Sequence, residues 1–497
     1  MRPVLWLSGA VATSLMGMAT KEVVATAPLL IFIYDRTFMA GTFKGAWERR
    51  KGLYIGLAAT WLPLALLVAG TGGSRHGSAG FTGAVEPTHY WLTQFRAVAD
   101  YLRLTVWPRT LVFDYGTNVV RGPLDVLPQA LLVLALLALT VVALIRRPPL
   151  GFLGAWFFCI LAPTSIVPVA TQTMAEHRMY LPLAAVIMAI VLALYVLTSG
   201  GLRCWIPLAA AAIGLGIATL GRNEVYRSGL SLWEDTVAKQ PDNARAHCSL
   251  GLALSAIPDE LLHAISEYER AIQIHPNFSD AHFDLGIALE SVPGRHGEAI
   301  DHFQEALQIR PDFPDARLGL AKALAQESRI PEAIQEYQAA LRDRPTSYEA
   351  LSDYGALLCG TGNVSGGIEQ LNAALQINPD YPRAHFFMGN ALVQSGNIPD
   401  AIGHYEAALR AEPNFAEASN NLGMVLCRMG RTTEGLMLIE AAIRIRPDFA
   451  QAHFARGAAL LQAGRVNEAV EEYNKLLELK PGDPSALRML DLIRSRQ

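Results

Sequence analysis

The chain has 497 residues, 51% hydrophobic and only 17% charged, with a formal net charge of −4. Length excludes a single core, and a charged fraction below the usual figure of about 25% excludes a chain that is soluble throughout. Residues 1–221 carry 16 Lys/Arg and 8 Asp/Glu, whereas residues 222–497 carry 25 and 37, so a basic apolar half precedes an acidic, water-compatible half with no basic stripe for nucleic acid.

In chain order, apolar windows occur at about 3–19, 23–34, 52–70, 126–145, 149–169, 179–198 and 204–220. Each can cover much of a hydrocarbon layer about 30 Å thick, and none alternates with period two, so about seven helical spans are expected over residues 1–221. Basic residues fall in alternate turns: Arg2, the segment 35–51 with five Lys/Arg, Arg146-Arg147 and Arg203. The positive-inside rule puts those turns in the cytoplasm. Lys21-Glu22, the long loop 71–125, residues 170–178 and everything after 221 then face outward, in the periplasm of a Gram-negative inner membrane. The start "MRPVLWLSGAVATSLMGMAT" also has the form of a signal peptide, but the apolar pattern resumes directly after Lys21-Glu22, which favours a retained hairpin.

Within the outer loop, "HYWLTQFRAVADYLRLTVW" sets Trp91, Phe95, Val98, Leu102 and Val106 on one helical face, as expected of a helix lying in the headgroup zone or covering the loop. "MAEHRMYLPL" places Glu176, His177 and Arg178 beside a span. Ionisable groups at lipid depth are costly and point to function. Arg178 and Lys21 can clamp a lipid phosphate, His177 can donate to it or carry a proton, and Glu176, Glu22 or Asp114 can orient the cations or act as a base. The plain alternative is a set of neutralising pairs at helix ends.

Residues 222–240 resemble the second helix of a repeat. From Pro241, prolines recur at 276, 311, 345, 379, 413, 447 and 481, in steps of 35, 35 and then 34. This is the period of the tetratricopeptide repeat, so residues 241–481 are expected to form seven helix pairs stacked into an α-solenoid, with 482–497 as a capping helix. Small residues at Gly251, Gly286, Ala321, Gly355, Gly389, Gly423 and Gly457 let paired helices approach, and a partner protein is expected in the groove. His247, His282, His385 and His453 share a register as a ligand ladder or as packing at a seam, and packing fits better because no carboxylate pattern accompanies them. None of the five cysteines has zinc spacing, and no metal or cofactor is expected.

"MATKEVVATAPLLIFIYD", "YLRLTVWPRTLVFDYG" and "APTSIVPVATQTMAEHRMYLPLAA", followed by "LWEDTVAKQPDNARAHCSLGLAL", resemble the bacterial relatives of the transmembrane and tetratricopeptide repeat containing family. The resemblance implies a partial GT-C glycosyltransferase fold of the protein O-mannosyltransferase kind. It also implies a polyprenyl-phosphate-linked sugar as donor and an acceptor protein held by the repeats. In that fold the catalytic acids lie in the first outer loop. "MRPVLWLSGAV" matches a later span, so the resemblance implies either spans preceding Met1 or a degenerate relative. It carries over no catalytic base; Glu22 and Asp114 are the acidic substitutes. A non-catalytic, membrane-tethered scaffold is the alternative.

Overall fold

In the computed structural model the described residues are 10–14, 16, 22–70, 86–106, 111–116, 119–120, 122–167, 174, 176–198 and 205–495. They form an all-α chain in two compact units, Met1–Asp284 and Leu285–Gln497.

The first unit opens with a 3-10 turn, Glu22–Thr26, and helix α1, Ala27–Tyr34, which runs into a π-helical turn, Asp35–Ala40. Next come α2 (Phe43–Ala59), α3 (Trp61–Gly70) and α4 (Pro87–Val106). Then follow α5 (Leu127–Arg146), α6 (Pro148–Ile166), α7 (Tyr180–Leu197) and α8 (Trp205–Val225). Among the described residues, α5 to α8 are the four helices long and apolar enough to cross a membrane.

Of the about seven spans expected, four are found among the described residues. The window 3–19 lies largely outside the described residues. The window 23–34 yields an α-helix of only 8 residues. The window 52–70 is split: α2 begins nine residues early, inside the basic segment expected to be a turn, is kinked at Arg50, and ends before Thr60. There Asp35 accepts hydrogen bonds from Arg50 and Tyr54, so the basic residues sit in a helix with a buried counter-ion rather than in an open turn.

Helices α5 and α6 form a tight hairpin. A Cβ on Gly151 would lie 2.2 Å from the Leu144 nitrogen, and one on Gly154 2.2 Å from Thr140 Oγ1, so only glycine permits this approach. Helix α4 covers the start of α5 and the end of α6. Its buried face is Ala97, Val98, Tyr101 and Leu104, packed with Val133, Phe157 and Met179. Phe95, Val98 and Leu102 of the expected face pack in this cluster, whereas Trp91 stays partly exposed and its indole donates to Ile166 O at 2.8 Å, and Tyr90 Oη donates to Thr164 O at 2.6 Å. These bonds satisfy carbonyls that the end of α6 leaves open.

The unit continues through α9 (Gly229–Lys239), α10 (Ala244–Ser255) and α11 (Leu261–Ile274) into the start of α12 (Ser279–Glu290). In α10 and α11 the ring of Tyr268 lies over Gly251.

The second unit is a run of antiparallel pairs. After α13 (His296–Ile309), α14 (Pro314–Gln326) pairs with α15 (Ile330–Asp343) and α16 (Tyr348–Gly360) with α17 (Val364–Ile377), and α18 (Pro382–Gln394) begins the next pair. The series ends with α19 (Ile398–Ala411), α20 (Ala416–Arg428), α21 (Thr432–Ile445), α22 (Ala450–Gln462), α23 (Val466–Leu479) and α24 (Pro484–Arg494). Large side chains meet the small position of the preceding helix: Phe303 on Gly286, Tyr405 on Gly389 and Tyr473 on Gly457. Ala486, Leu490 and Ile493 of α24 close the last cluster.

Two repeats use another solution. A Cβ on Gly367 would meet Cys359 Sγ at 2.2 Å, and one on Gly435 would meet Cys427 Sγ at 2.3 Å, while Leu371 and Ile439 replace the aromatic ring. Cysteine, glycine and an aliphatic residue thus occur together, because sulfur fills the space that an alanine methyl takes elsewhere. Gly435→Ala is expected to lower unfolding stability by about 1–2 kcal/mol through overpacking, and Gly435→Ala with Cys427→Ala to restore most of it, as read by urea denaturation.

The turn inside each pair is closed by a residue with positive φ: Gly362, Gly396, Gly430 and Gly464, with Ser328 at +60° in the same register. Schellman-type bonds accompany it, such as Arg431 N to Leu426 O at 2.9 Å and Arg329 N to Leu324 O at 2.8 Å. Ser328→Gly is expected to stabilise the chain by about 0.5–1 kcal/mol in the same assay, because glycine adopts this conformation without strain.

Candidate functional site

If the four apolar helices cross a membrane in alternation, the start of α5, the end of α6, the start of α7 and the end of α8 share one face. The turn Glu176–Met179 lies there, and Arg178 Nη1 stands 3.4 Å from Tyr90 Oη of α4. Side chains of Glu22, Glu176 and His177, and all of Lys21, fall outside the described residues. Of the residues expected to hold a phosphate, the structure thus places Arg178 alone, against α4. Asp114 is placed elsewhere.

Asp114 is 1% exposed and lies at the centre of a joint within the first unit. Arg245 of α10 donates Nε to its Oδ2 at 2.6 Å, and Gly116 N donates to Oδ1 at 2.8 Å. Asn243 donates Nδ2 to the Asp114 carbonyl at 3.0 Å, while its own Oδ1 caps α10 by accepting from Ala246 N. Gly116, at φ +72°, lies against Asn243, so turn and cap fit each other. Beside it, Lys239 Nζ reaches Leu111 O at 3.0 Å and Asp235 at 2.7 Å, and Asp235 also pairs with Arg222 at 2.5 Å. Burial pushes the Asp235 carboxyl up, but hydrogen bonds from Lys239 and Arg222 outweigh it and hold the group below the ordinary range. Phe113 meets Trp233 edge-on at 5.3 Å. The loop that follows α4 is therefore clasped to α9 and α10.

In the second unit, the histidine register has a consistent geometry. His385 and His453 place Nε2 at 2.8 and 2.9 Å from the carbonyls of Pro379 and Pro447, six residues back. His453 Nδ1 faces Glu472 at 2.7 Å. In the third repeat Arg317 fills the same position, donating to Pro311 O at 2.9 Å and to Glu336 at 3.4 Å. In the first unit His247 does likewise with Pro241 O and Glu267. In these repeats the side chains tie the inter-repeat turn to the facing helix, and no group of three or more metal-ligating side chains exists among the described residues.

The fifth repeat is the variant: His385 Nδ1 and His404 Nδ1 are 2.9 Å apart. Pro379 O only accepts, so His385 donates Nε2–H and, when neutral, receives at Nδ1 the proton of His404. Burial and then the charge of His385 lower the His404 pKa below its ordinary 6.5, against a smaller opposing effect of Asp400. The native state therefore binds this proton less readily than the unfolded chain. Its contribution is complete above the ordinary histidine value and is lost as pH falls through the depressed one. The urea midpoint is expected to fall between neutral pH and about pH 5, and His404→Gln to flatten that fall.

Arg383, Phe386, Phe387, Phe415, Glu417 and Arg446 surround an open cavity of about 550 Å³ over the fifth and sixth repeats. Arg383 is anchored by Asp353 at 3.2 Å, which also receives Lys322 at 2.9 Å. The result is an aromatic trough with fixed cations at its rim, suited to apolar and acidic side chains of a polypeptide. The sequence reading expected a groove lined by the first helix of each repeat; this cavity at the turns between repeats was not among its expectations, and Phe386-Phe387 and Phe415 were the available signal.

Two models described as "Tetratricopeptide repeat" match this chain, one over residues 293–352 and 324–388, the other over 263–314, 388–448 and 422–484. A search of curated proteins returned no match. Among solved structures, the hetero-tetramer Cut9–Hcn1 is similar at 19% identity and TM-score 0.44, over 53% of this chain and 52% of that one. This chain thus spans about half the length of the Cut9–Hcn1 chain it matches. A tetratricopeptide repeat protein from Parabacteroides merdae is similar at 17% identity and TM-score 0.43, over 50% of this chain and 98% of that one. MamA is similar at 25% identity and TM-score 0.29, over 32% of this chain and 94% of that one. With its repeat period, helix pairs and matched residues together, the chain is a tetratricopeptide-repeat protein that also carries four helices long and apolar enough to cross a membrane.

Proposed function

We propose that this protein is a membrane-mounted scaffold whose repeats hold a partner protein on the extracytoplasmic face. The supporting observation is the clasp at Asp114. A buried carboxylate from the loop after α4 is committed to Arg245 and Asn243, so the span-bearing part and the first repeat helices are built as one piece. Such a mounting of the first repeat helices suits recruitment of a partner to the membrane. The aromatic trough of the second unit is the surface we assign to the partner.

A photo-cross-linking residue at Phe386, in the full chain in native membranes, tests this. A protein adduct is expected that is lost with Arg383→Ala/Phe387→Ala and unchanged with Arg178→Ala/His177→Ala. Under the sugar-transfer reading, in which Arg178, His177, Lys21 and Glu176 face a polyprenyl phosphate, the second pair of changes abolishes glycosylation of the adduct. A glycosylated adduct that loses its sugar in this way would replace the scaffold reading by the transferase one.

A further inference from the structure

The first unit contains a second cavity, of about 380 Å³, between α4, the loop after it and the end of α9. Arg96, Arg103 and Lys239 line it with a single carboxylate, Asp100, beside Thr93 and Tyr115. Lys239 is held in place by Asp235 and Leu111 O. The two arginines share Asp100 loosely, at 4.0 and 3.3 Å. With Lys239 matched by Asp235, two arginines share the single carboxylate of Asp100, which leaves an excess of guanidinium N–H donors at the cavity wall. Helix α4 packs on the start of α5 and the end of α6, so this notch lies at the membrane surface.

Cations at a bilayer surface select phosphate oxygens, and guanidinium groups do so in bidentate fashion. An apolar floor of Ala97, Val112 and Met174 suits the glycerol and upper acyl part of a lipid rather than a bare hydrated ion. We propose that this notch binds the phosphate of an anionic phospholipid headgroup and so seats the joint on the bilayer. The proposal is independent of what the repeats bind.

The test uses the full chain purified into nanodiscs of phosphatidylcholine, with phosphatidylglycerol or inorganic phosphate added, and lipid retention read by native mass spectrometry. Wild type is expected to retain phosphatidylglycerol, and Arg96→Gln/Arg103→Gln to retain it roughly tenfold or more weakly, since charge-assisted bonds are lost. Arg488→Gln, a charge change in the second unit, is expected to retain it as wild type does. Unfolding temperature in pure phosphatidylcholine confirms that the double variant is folded. Binding of inorganic phosphate that depends on the same two arginines, without lipid preference, would assign the phosphate site to a soluble anion and overturn the headgroup assignment. Equal retention of both lipids by wild type, or undiminished retention by a folded double variant, would overturn the proposal outright.

Discussion

Asp114→Ala is expected to loosen the joint between the loop after α4 and the first repeat helices, at a cost of about 3–5 kcal/mol. Removing one member of a buried ion pair leaves its partner without compensation, and this costs more than the intact pair contributes. Arg245 would lose its carboxylate, and Gly116 N would lose its acceptor at 2.8 Å. Asn243, bonded to the Asp114 backbone carbonyl, would keep that contact only while the loop holds its course. Hydrogen exchange should show the effect as faster exchange over Ala244–Ser255 and residues 111–116, with Pro484–Arg494 unchanged. Asp114→Asn should cost less, because it retains an acceptor for Gly116. If Asp114 were instead a base poised for chemistry, its loss would abolish turnover without altering exchange.

Glu472→Ala is expected to be the most damaging single change in the second unit, at about 3 kcal/mol. Glu472 is 3% exposed and receives His453 Nδ1 at 2.7 Å and Arg456 Nη1 at 2.6 Å. Its removal strands an imidazole and a guanidinium at the last inter-repeat seam. Arg456 retains Glu440 at 2.9 Å, which limits the loss. In a stacked array each pair is stabilised by its neighbours, so fraying should begin at α22–α24. Urea unfolding should then show a separate early phase, and Glu472→Gln should recover part of the loss.

The repeat was legible because the same physical requirement recurs every turn of the stack: a proline at the turn, a small residue under a large one, a short reversal. The 35-residue steps of the first two repeats are explained by the reversal itself, where Asp259 and Gly294 take the positive φ one residue later than Gly396 or Gly464 do. The pairing of Cys359 with Gly367 was also present in the sequence, but a deviation from consensus reads as noise until the sulfur is seen to fill the gap.

The joint was not legible in that way. Asp114 and Arg245 are 131 residues apart, and an acidic residue in an outer loop reads equally well as a base or as half of an ion pair. The four spans followed from hydropathy alone. The window 52–70 misled because hydropathy averages over residues, whereas helix continuity depends on Arg50 and Thr60, where α2 kinks and stops. The apolar face of α4 was legible through Phe95, Val98 and Leu102, whereas the hydrogen bond of the Trp91 N–H to the open end of α6 was not.

The most direct test of the clasp is a double-mutant cycle on the full chain in bilayers, with Asp114→Ala, Arg245→Ala and the pair. Unfolding of the first unit is followed by hydrogen exchange over Ala244–Ser255. The clasp predicts that the two single changes cost far more together than the double change does, with a coupling of about 2 kcal/mol. Additive costs would show that Asp114 and Arg245 act independently, and that the loop does not hold the repeats.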